Sequence, residues 1–150
     1  NIGPARRCAA EVNVSDGAPT TTQLTLTEVL LVHELLIETF GGMRGVNEHG
    51  FGKLEAAVAA PSVSMFGDDL YVGLAEKAGV LFYRLVRAHG FSDGNKRVAL
   101  VALILFLQRN DARLRANDDE LYMFTMAGAT EWSREQVTAW IEDQLELAAD

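Results

Sequence analysis

Ten consecutive apolar residues, Val98–Leu107 (VALVALILFL), constrain this chain more than any other stretch. They are too few to cross a bilayer, which takes about 20, and they are apolar on every side. They therefore read as a helix enclosed by the rest of the protein. Directly before them stand nine residues of opposite character, His89–Arg97 (HGFSDGNKR), carrying a histidine, an aspartate, a lysine and an arginine. A fold that buries the first segment must hold the second nearly still at its edge. With 150 residues, 49% of them apolar and without visible repeats, one domain with one core is expected.

The remaining periodicity is helical. Val29, His33, Leu36, Ile37 and Phe40 share one face of a helix over 26–40, which Gly41-Gly42 ends. Asn47 is placed to cap a second helix running to about Ala60, where Pro61 stops it. Residues 61–73 (PSVSMFGDDLYVG) mix turn formers with Val, Met, Phe and Tyr, and read as a loop or short hairpin. Helices follow over 74–88, broken at Gly90, and from Asn95 to about Arg109. Asn117 or Asp118 caps a fifth, and Ser133-Arg134-Glu135-Gln136 is a capping box for a sixth that ends near the C-terminus. No segment alternates with period two for long enough to build a sheet. The expected fold is all-α: a compact bundle of about six helices around the central apolar helix 95–109, with at most a short β-hairpin flap.

Charge narrows the function classes. The net charge of −8 speaks against a general nucleic-acid binder, but from Arg84 to Arg115 seven Lys/Arg face two acids. A basic island on an acidic chain suits a small anion better than a long polyanion. The single cysteine, Cys8, allows no internal disulfide, and no CxxC or HExxH spacing marks a metal cage, so a cytoplasmic protein without a membrane partner is expected. Residues 1–24 are polar, Gly/Pro-punctuated and without the apolar stretch of a signal peptide. They read as an N-terminal extension to a domain over 25–150.

The polar segment carries the chemistry. With Gly90 closing one helix and Asn95 opening the next, the backbone N–H groups after the Phe91–Gly94 turn are left to bind an anion. Lys96 and Arg97 are mildly unfavourable in a first helical turn, a cost that an anionic ligand offsets. Asp93 supplies the one carboxylate that Mg²⁺ takes when nucleotide phosphates complete its shell. His89 stands at the other lip as a base, and Phe91 is the apolar peg that pins the loop. Each residue also has an ordinary structural reading: an Asp or His at a helix end is often a cap, and a Lys-Arg pair a solvated face. Their concentration within nine residues favours function. His33, on an apolar helix face, reads as a packed, hydrogen-bonded core histidine. His49 has no assigned role, and Trp132 and Trp140 read as packing residues.

HGFSDGNKR, His89 to Arg97, resembles the signature of the Fic/Doc superfamily, His-x-Phe-x-(Asp/Glu)-(Gly/Ala)-Asn-(Gly/Lys)-Arg, at all seven constrained positions. The resemblance extends through LTLTEVLLVHELLIETFGG (24–42), the Leu54–Val58 helix, the 61–73 segment and LFLQRN (105–110). It implies that His89 takes the proton from an attacking protein hydroxyl and that Asp93 holds Mg²⁺. Gly94, Asn95, Lys96 and Arg97 would hold ATP phosphates, with Arg87 assisting, and the flap would dock the target polypeptide as an added strand. Lys96 stands where AMP-transferring members have Gly, and Leu100 where they have a second Arg, so the resemblance is to the Doc branch. That branch implies a toxin kinase that phosphorylates elongation factor Tu, arrests translation and is silenced by a Phd-like antitoxin. Where Doc-type sequences commonly read Gly-Ile-Arg-Asp, this chain has Gly45-Val46-Asn47-Glu48, so that arginine's role is absent or falls to Arg44. The alternatives are AMP transfer to a protein hydroxyl and a catalytically silent binding module.

Overall fold

The computed structural model describes residues 20–148; most of the expected N-terminal extension, with Cys8, lies outside the described residues. Helix α1 (Leu26–Phe40) is followed by α2 (Gly50–Ala59), a 3₁₀ turn at Ala60–Ser62 and a hairpin of β1 (Ser64–Met65) and β2 (Asp68–Asp69). Then come α3 (Leu74–Ala88), α4 (Asn95–Arg109), β3 (Ala112–Leu114), α5 (Asp118–Thr130), α6 (Arg134–Gln144) and β4 (Leu145–Leu147).

The apolar run does what its composition demands. Val98, Ala99, Ala102, Leu103, Phe106 and Leu107 are fully enclosed, with α1, α3, α5 and β3 packed around α4. Helix α3 is the second axis of the core and also supports α2 and α6. Aromatic rings fill the space towards the C-terminal helices: Phe124 stacks on Phe82 at 4.6 Å and on Trp140 at 4.0 Å, and meets the edge of Trp132 at 6.1 Å. Both tryptophans are thus packing residues, as expected.

Helix starts follow the caps. The Thr25 hydroxyl accepts from Glu28 N while the Glu28 carboxylate accepts from Thr25 N; Asn117 with Glu120 and Ser133 with Gln136 repeat the pattern. Glu28 also pairs with Arg109 at the far end of α4, which joins the start of α1 to the end of the central helix. The hydrogen bond from Arg109, then that from Thr25 N, brings the Glu28 carboxyl down to about 2.

Several expectations need correction. Phe40 lies outside the buried face of α1, 60% exposed, because its ring carries the Arg97 guanidinium at 4.5 Å. Helix α2 begins three residues later than Asn47, which is occupied elsewhere. Sheet does form, but in two-stranded pieces too short for an alternation pattern: β1 pairs with β2, and β3 pairs with β4 in the register Ala112↔Leu147 to Leu114↔Leu145. Helix α6 therefore ends at Gln144 and the chain returns as a strand. Residues 20–24 do not stand apart from the domain, since Leu24 is buried and the backbone of Thr22 exchanges two hydrogen bonds with the Asn110 side chain, 2.7 and 2.9 Å.

The 61–73 flap is the expected hairpin, turning at Phe66-Gly67, both with positive φ as in a type I′ turn. Its base is fixed by one buried group: the Lys77 ammonium donates to Asp69 Oδ2 at 3.0 Å, to Pro61 O at 3.5 Å and to Tyr71 O. Phe66, at the tip, is 97% exposed.

Two outcomes follow from these ties. Glu28→Gln keeps the cap but removes the charge, so it should cost about 1 kcal/mol at neutral pH. Because the folded-state carboxyl is lowered, that stability is present above the unfolded value and disappears as pH falls from about 4.5 towards about 2. Urea titrations of wild type and variant should therefore converge in acid. Lys77→Met leaves two carbonyls and a carboxylate unpaired and should destabilise by about 1–3 kcal/mol. Chymotryptic cleavage at Phe66 should accelerate, and an unchanged cleavage rate would contradict the anchoring of the flap by Lys77.

Candidate functional site

The loop between α3 and α4 is held by a segment distant in sequence. Residues 45–47 lie antiparallel to residues 90–92: Asn47 N donates to Gly90 O at 2.8 Å and Ser92 N to Gly45 O at 3.0 Å, with a bridge between Val46 and Phe91. The Asn47 side chain completes the clamp. Its Nδ2 donates to the carbonyls of His89 (2.8 Å) and Phe91 (3.0 Å), and its Oδ1 accepts from the Ser92 hydroxyl at 3.3 Å. This segment can lie so close because both sides lack side chains. A Cβ on Gly50 would sit 2.2 Å from Gly90 O, and one on Gly90 would sit 2.6 Å from Leu54 Cγ. The missing side chain at Gly90 therefore lets the loop close tightly on α2.

Helix α1 braces the same loop from another side. The buried His33 ring stacks parallel on Phe91 with centroids 3.9 Å apart, and its Nε2 lies 3.0 Å from Asp93 O. A carbonyl only accepts, so Nε2 carries the proton. His33 is thus the packed, hydrogen-bonded histidine its position suggests, and Phe91, 2% exposed, is the expected peg. Asn95 closes the loop on itself, with Oδ1 accepting from Phe91 N (3.0 Å) and Nδ2 donating to Phe91 O (2.9 Å). Its side chain is spent on the loop, which leaves its backbone N–H for a ligand.

What this scaffold presents is a cavity of about 770 Å³, within the range of small-molecule sites. His89 ends α3 with φ +51°, exposed, and lines it. Asp93 lines it as well, its Oδ2 accepting from Met43 N (3.1 Å) and its Oδ1 from Gly94 N (2.9 Å), so the carboxylate is oriented while lone pairs stay available. Gly94, in the left-handed region at φ +81°, is the N-cap of α4 and supplies no side chain to satisfy the helix amides. The N–H groups of Asn95, Lys96 and Arg97 thus start the helix uncapped beside the cavity, and the side chains of Lys96 and Arg97 stand there without a carboxylate partner among the described residues. Positive groups concentrate at this end. The Asp93 carboxylate beside such donors fits Mg²⁺ that keeps waters and takes phosphate oxygens.

The opposite wall comes from α5, through Asp118, Leu121, Tyr122, Thr125, Met126 and Ala129. These six fall at spacings of three and four, one helical face, so periodicity held the signal; it reads equally as ordinary packing. Leu100, on α4, adds an apolar side chain to the cavity.

One proposed phosphate ligand goes elsewhere. Arg87 does not line the cavity: its guanidinium donates to Gly128 O (2.9 Å), Thr130 O (3.2 Å) and Trp132 O (2.7 Å), and so holds the end of α5. The basic island is likewise divided. Arg109 and Arg113 pair with Glu28 and Glu146, and Arg115 donates to Asp143 O, which among the described residues leaves Arg84, Lys96 and Arg97 unmatched. Arg44 is paired with Glu34. Among the described residues no helix is long and apolar enough to cross a membrane.

Comparison with known proteins agrees with this geometry. A model of the Fic/DOC family matches residues 23–107, which take in α1, the Asn47 clamp, the loop and most of α4. A protein named Toxin Doc from Mycolicibacterium smegmatis is 42% identical over 80 residues, 53% of this chain and 60% of that protein. A protein named Protein kinase doc from Escherichia phage P1 is 31% identical over 108 residues, 69% of this chain and 79% of its own length. The clamp, the loop and the start of α4 all lie inside the matched segment, and the chain belongs to the Fic/DOC family, as a Doc-type member.

Proposed function

We propose that this chain acts as a Doc-type toxin of a toxin–antitoxin pair, a protein kinase that moves the γ-phosphoryl group of ATP to a serine or threonine hydroxyl. Elongation factor Tu is the proposed target, and arrest of translation the effect. The observation that carries this reading is that His89, Asp93 and the uncapped first turn of α4, with Lys96 and Arg97, line one cavity.

Each group has a task that follows from its position. His89 takes the proton of the attacking hydroxyl on a ring nitrogen as that oxygen bonds the γ-phosphorus. The bond from phosphorus to the β–γ bridging oxygen breaks, and ADP leaves with the electron pair. Negative charge on the transferring oxygens faces the α4 amides and the Lys96 and Arg97 side chains, donors already in place. Gly94 leaves the backbone open to that approach, and Asn95 contributes through its N–H. Asp93 would hold Mg²⁺, which when bound supplies further neutralisation of the phosphates. The α5 face, with Leu121, Tyr122 and Met126, suits the flat apolar part of a nucleotide. Leu100 in place of a second arginine argues against the clamp that favours AMP transfer. A Phd-like antitoxin is the proposed silencing partner; Leu31, Leu35, Phe40 and Met43 leave exposed apolar surface on and after α1 for a partner to cover.

With Mg²⁺ and elongation factor Tu, label from γ-labelled ATP should reach protein while label from α-labelled ATP should not, and His89→Ala should lower the rate about 10²–10⁴-fold. Label from the α-phosphate would overturn kinase chemistry in favour of AMP transfer; none from either would contradict this target or this activity.

The clamp makes a separate demand. Asn47→Ala should lower kcat at least about tenfold at temperatures where the variant stays folded, since about 1 Å of misplacement costs far more than that. Asn47→Asp should be equally poor, because both donated bonds are lost although Ser92 keeps its acceptor. Full activity in either variant would show that the clamp does not position His89.

A further inference from the structure

Ala88 and His89, neighbours at the end of α3, open onto different cavities. The second, of about 390 Å³, lies among α2, α3, the flap base and the start of α6. Its lining includes Lys53, Arg84, Arg87 and Arg134 with Tyr71 and Tyr83, and no carboxylate. That is unusual surface for a chain with 21 acids to 13 Lys/Arg. Arg87 is spent on the α5 carbonyls and Arg134 meets Glu135 at 3.1 Å, but Lys53 and Arg84 have no carboxylate partner among the described residues.

The walls are ordered before any ligand arrives. The Arg87 guanidinium lies over Tyr83 at 4.8 Å and that of Arg134 over Tyr71 at 5.1 Å, while the Tyr71 carbonyl is pinned by Lys77. With Lys53 and Arg84 unpaired among the described residues and no carboxylate in the lining, the cleft is net positive and attracts anions. The cations come from three separate helices and border the foot of a two-stranded hairpin, whose outer edges have unpaired backbone groups. Charges spread in this way suit several carboxylates along an extended chain better than one compact ion.

We propose that this cleft is a second anion site, which holds an acidic, Asp/Glu-rich segment of the polypeptide whose hydroxyl is presented to His89. It rests on the reading of His89 as a base acting on a protein hydroxyl, and it adds what selects that protein.

The test is fluorescence anisotropy of labelled octaglutamate with the full chain and no nucleotide, with octalysine as control. Octaglutamate should bind and octalysine should not. Binding should weaken at least about tenfold in Lys53→Gln/Arg84→Gln and be lost in Lys53→Glu/Arg84→Glu, both exposed positions whose variants should keep the wild-type circular dichroism. Raising salt from about 50 to about 200 mM should weaken it further, and Lys96→Ala should leave it unchanged. Equal binding by the Gln variant, or loss in Lys96→Ala, would overturn the proposal, the latter by placing the anion in the first cavity. Displacement by low-millimolar inorganic phosphate, itself failing to bind the double variants, would make this a small-anion site and overturn the polypeptide. Binding is read without turnover, so a chain that holds octaglutamate yet transfers nothing keeps the cleft and loses the kinase.

Discussion

The short antiparallel pairing of residues 45–47 with residues 90–92 is the contact on which the candidate site depends. Within the α3–α4 loop itself, Asn95 ties only Phe91, while His89 takes a left-handed conformation, Gly90 has no side chain, and Gly94 begins α4 without a side-chain cap. Asn47 supplies what the loop lacks, with backbone and side chain bonded to residues 89–92 from more than forty positions away. Gly50 and Gly90 permit the approach, and His33 and Phe91 close it from the α1 side. These contacts leave His89, Asp93 and the α4 amides directed at the cavity instead of at one another.

Electrostatics are arranged by subtraction. Most cations of the central region are matched by a carboxylate or by carbonyl oxygens, as with Arg109 on Glu28, Arg113 on Glu146 and Arg87 on the end of α5. Among the described residues, what remains unmatched sits at the two cavities: Lys96 and Arg97 at the first, Lys53 and Arg84 at the second. A chain of net charge −8 therefore still offers anions defined places to bind.

Much of this was legible in the residues themselves. The apolar run could only be a central helix, a cap at Asn117 or Asp118 and the capping box at Ser133 marked the starts of α5 and α6, and the nine-residue motif located the loop, the peg and the candidate site. Asn47 was misread because Asn before a helical run is a good cap, and nothing local reveals that its side chain crosses to another loop. Arg87 was misread for a related reason, since a cation near an anion site attracts a functional reading until its guanidinium is seen on the carbonyls of α5. Phe40 fits the apolar period of α1, yet a cation–π contact at the surface satisfies it. Strands of two or three residues carry no periodicity and stay invisible until tertiary pairing forms them. A basic island counted along the sequence says nothing of which charges are already paired.

What this preformed site holds is seen most directly in a crystal structure of the chain with Mg²⁺ and an ATP analogue whose β–γ bridge cannot be cleaved. The terminal phosphate should lie against the first turn of α4, beside Lys96 and facing His89, with the metal at Asp93. An α-phosphate in that place would contradict γ-phosphoryl transfer, and phosphates bound outside the cavity would contradict the site itself.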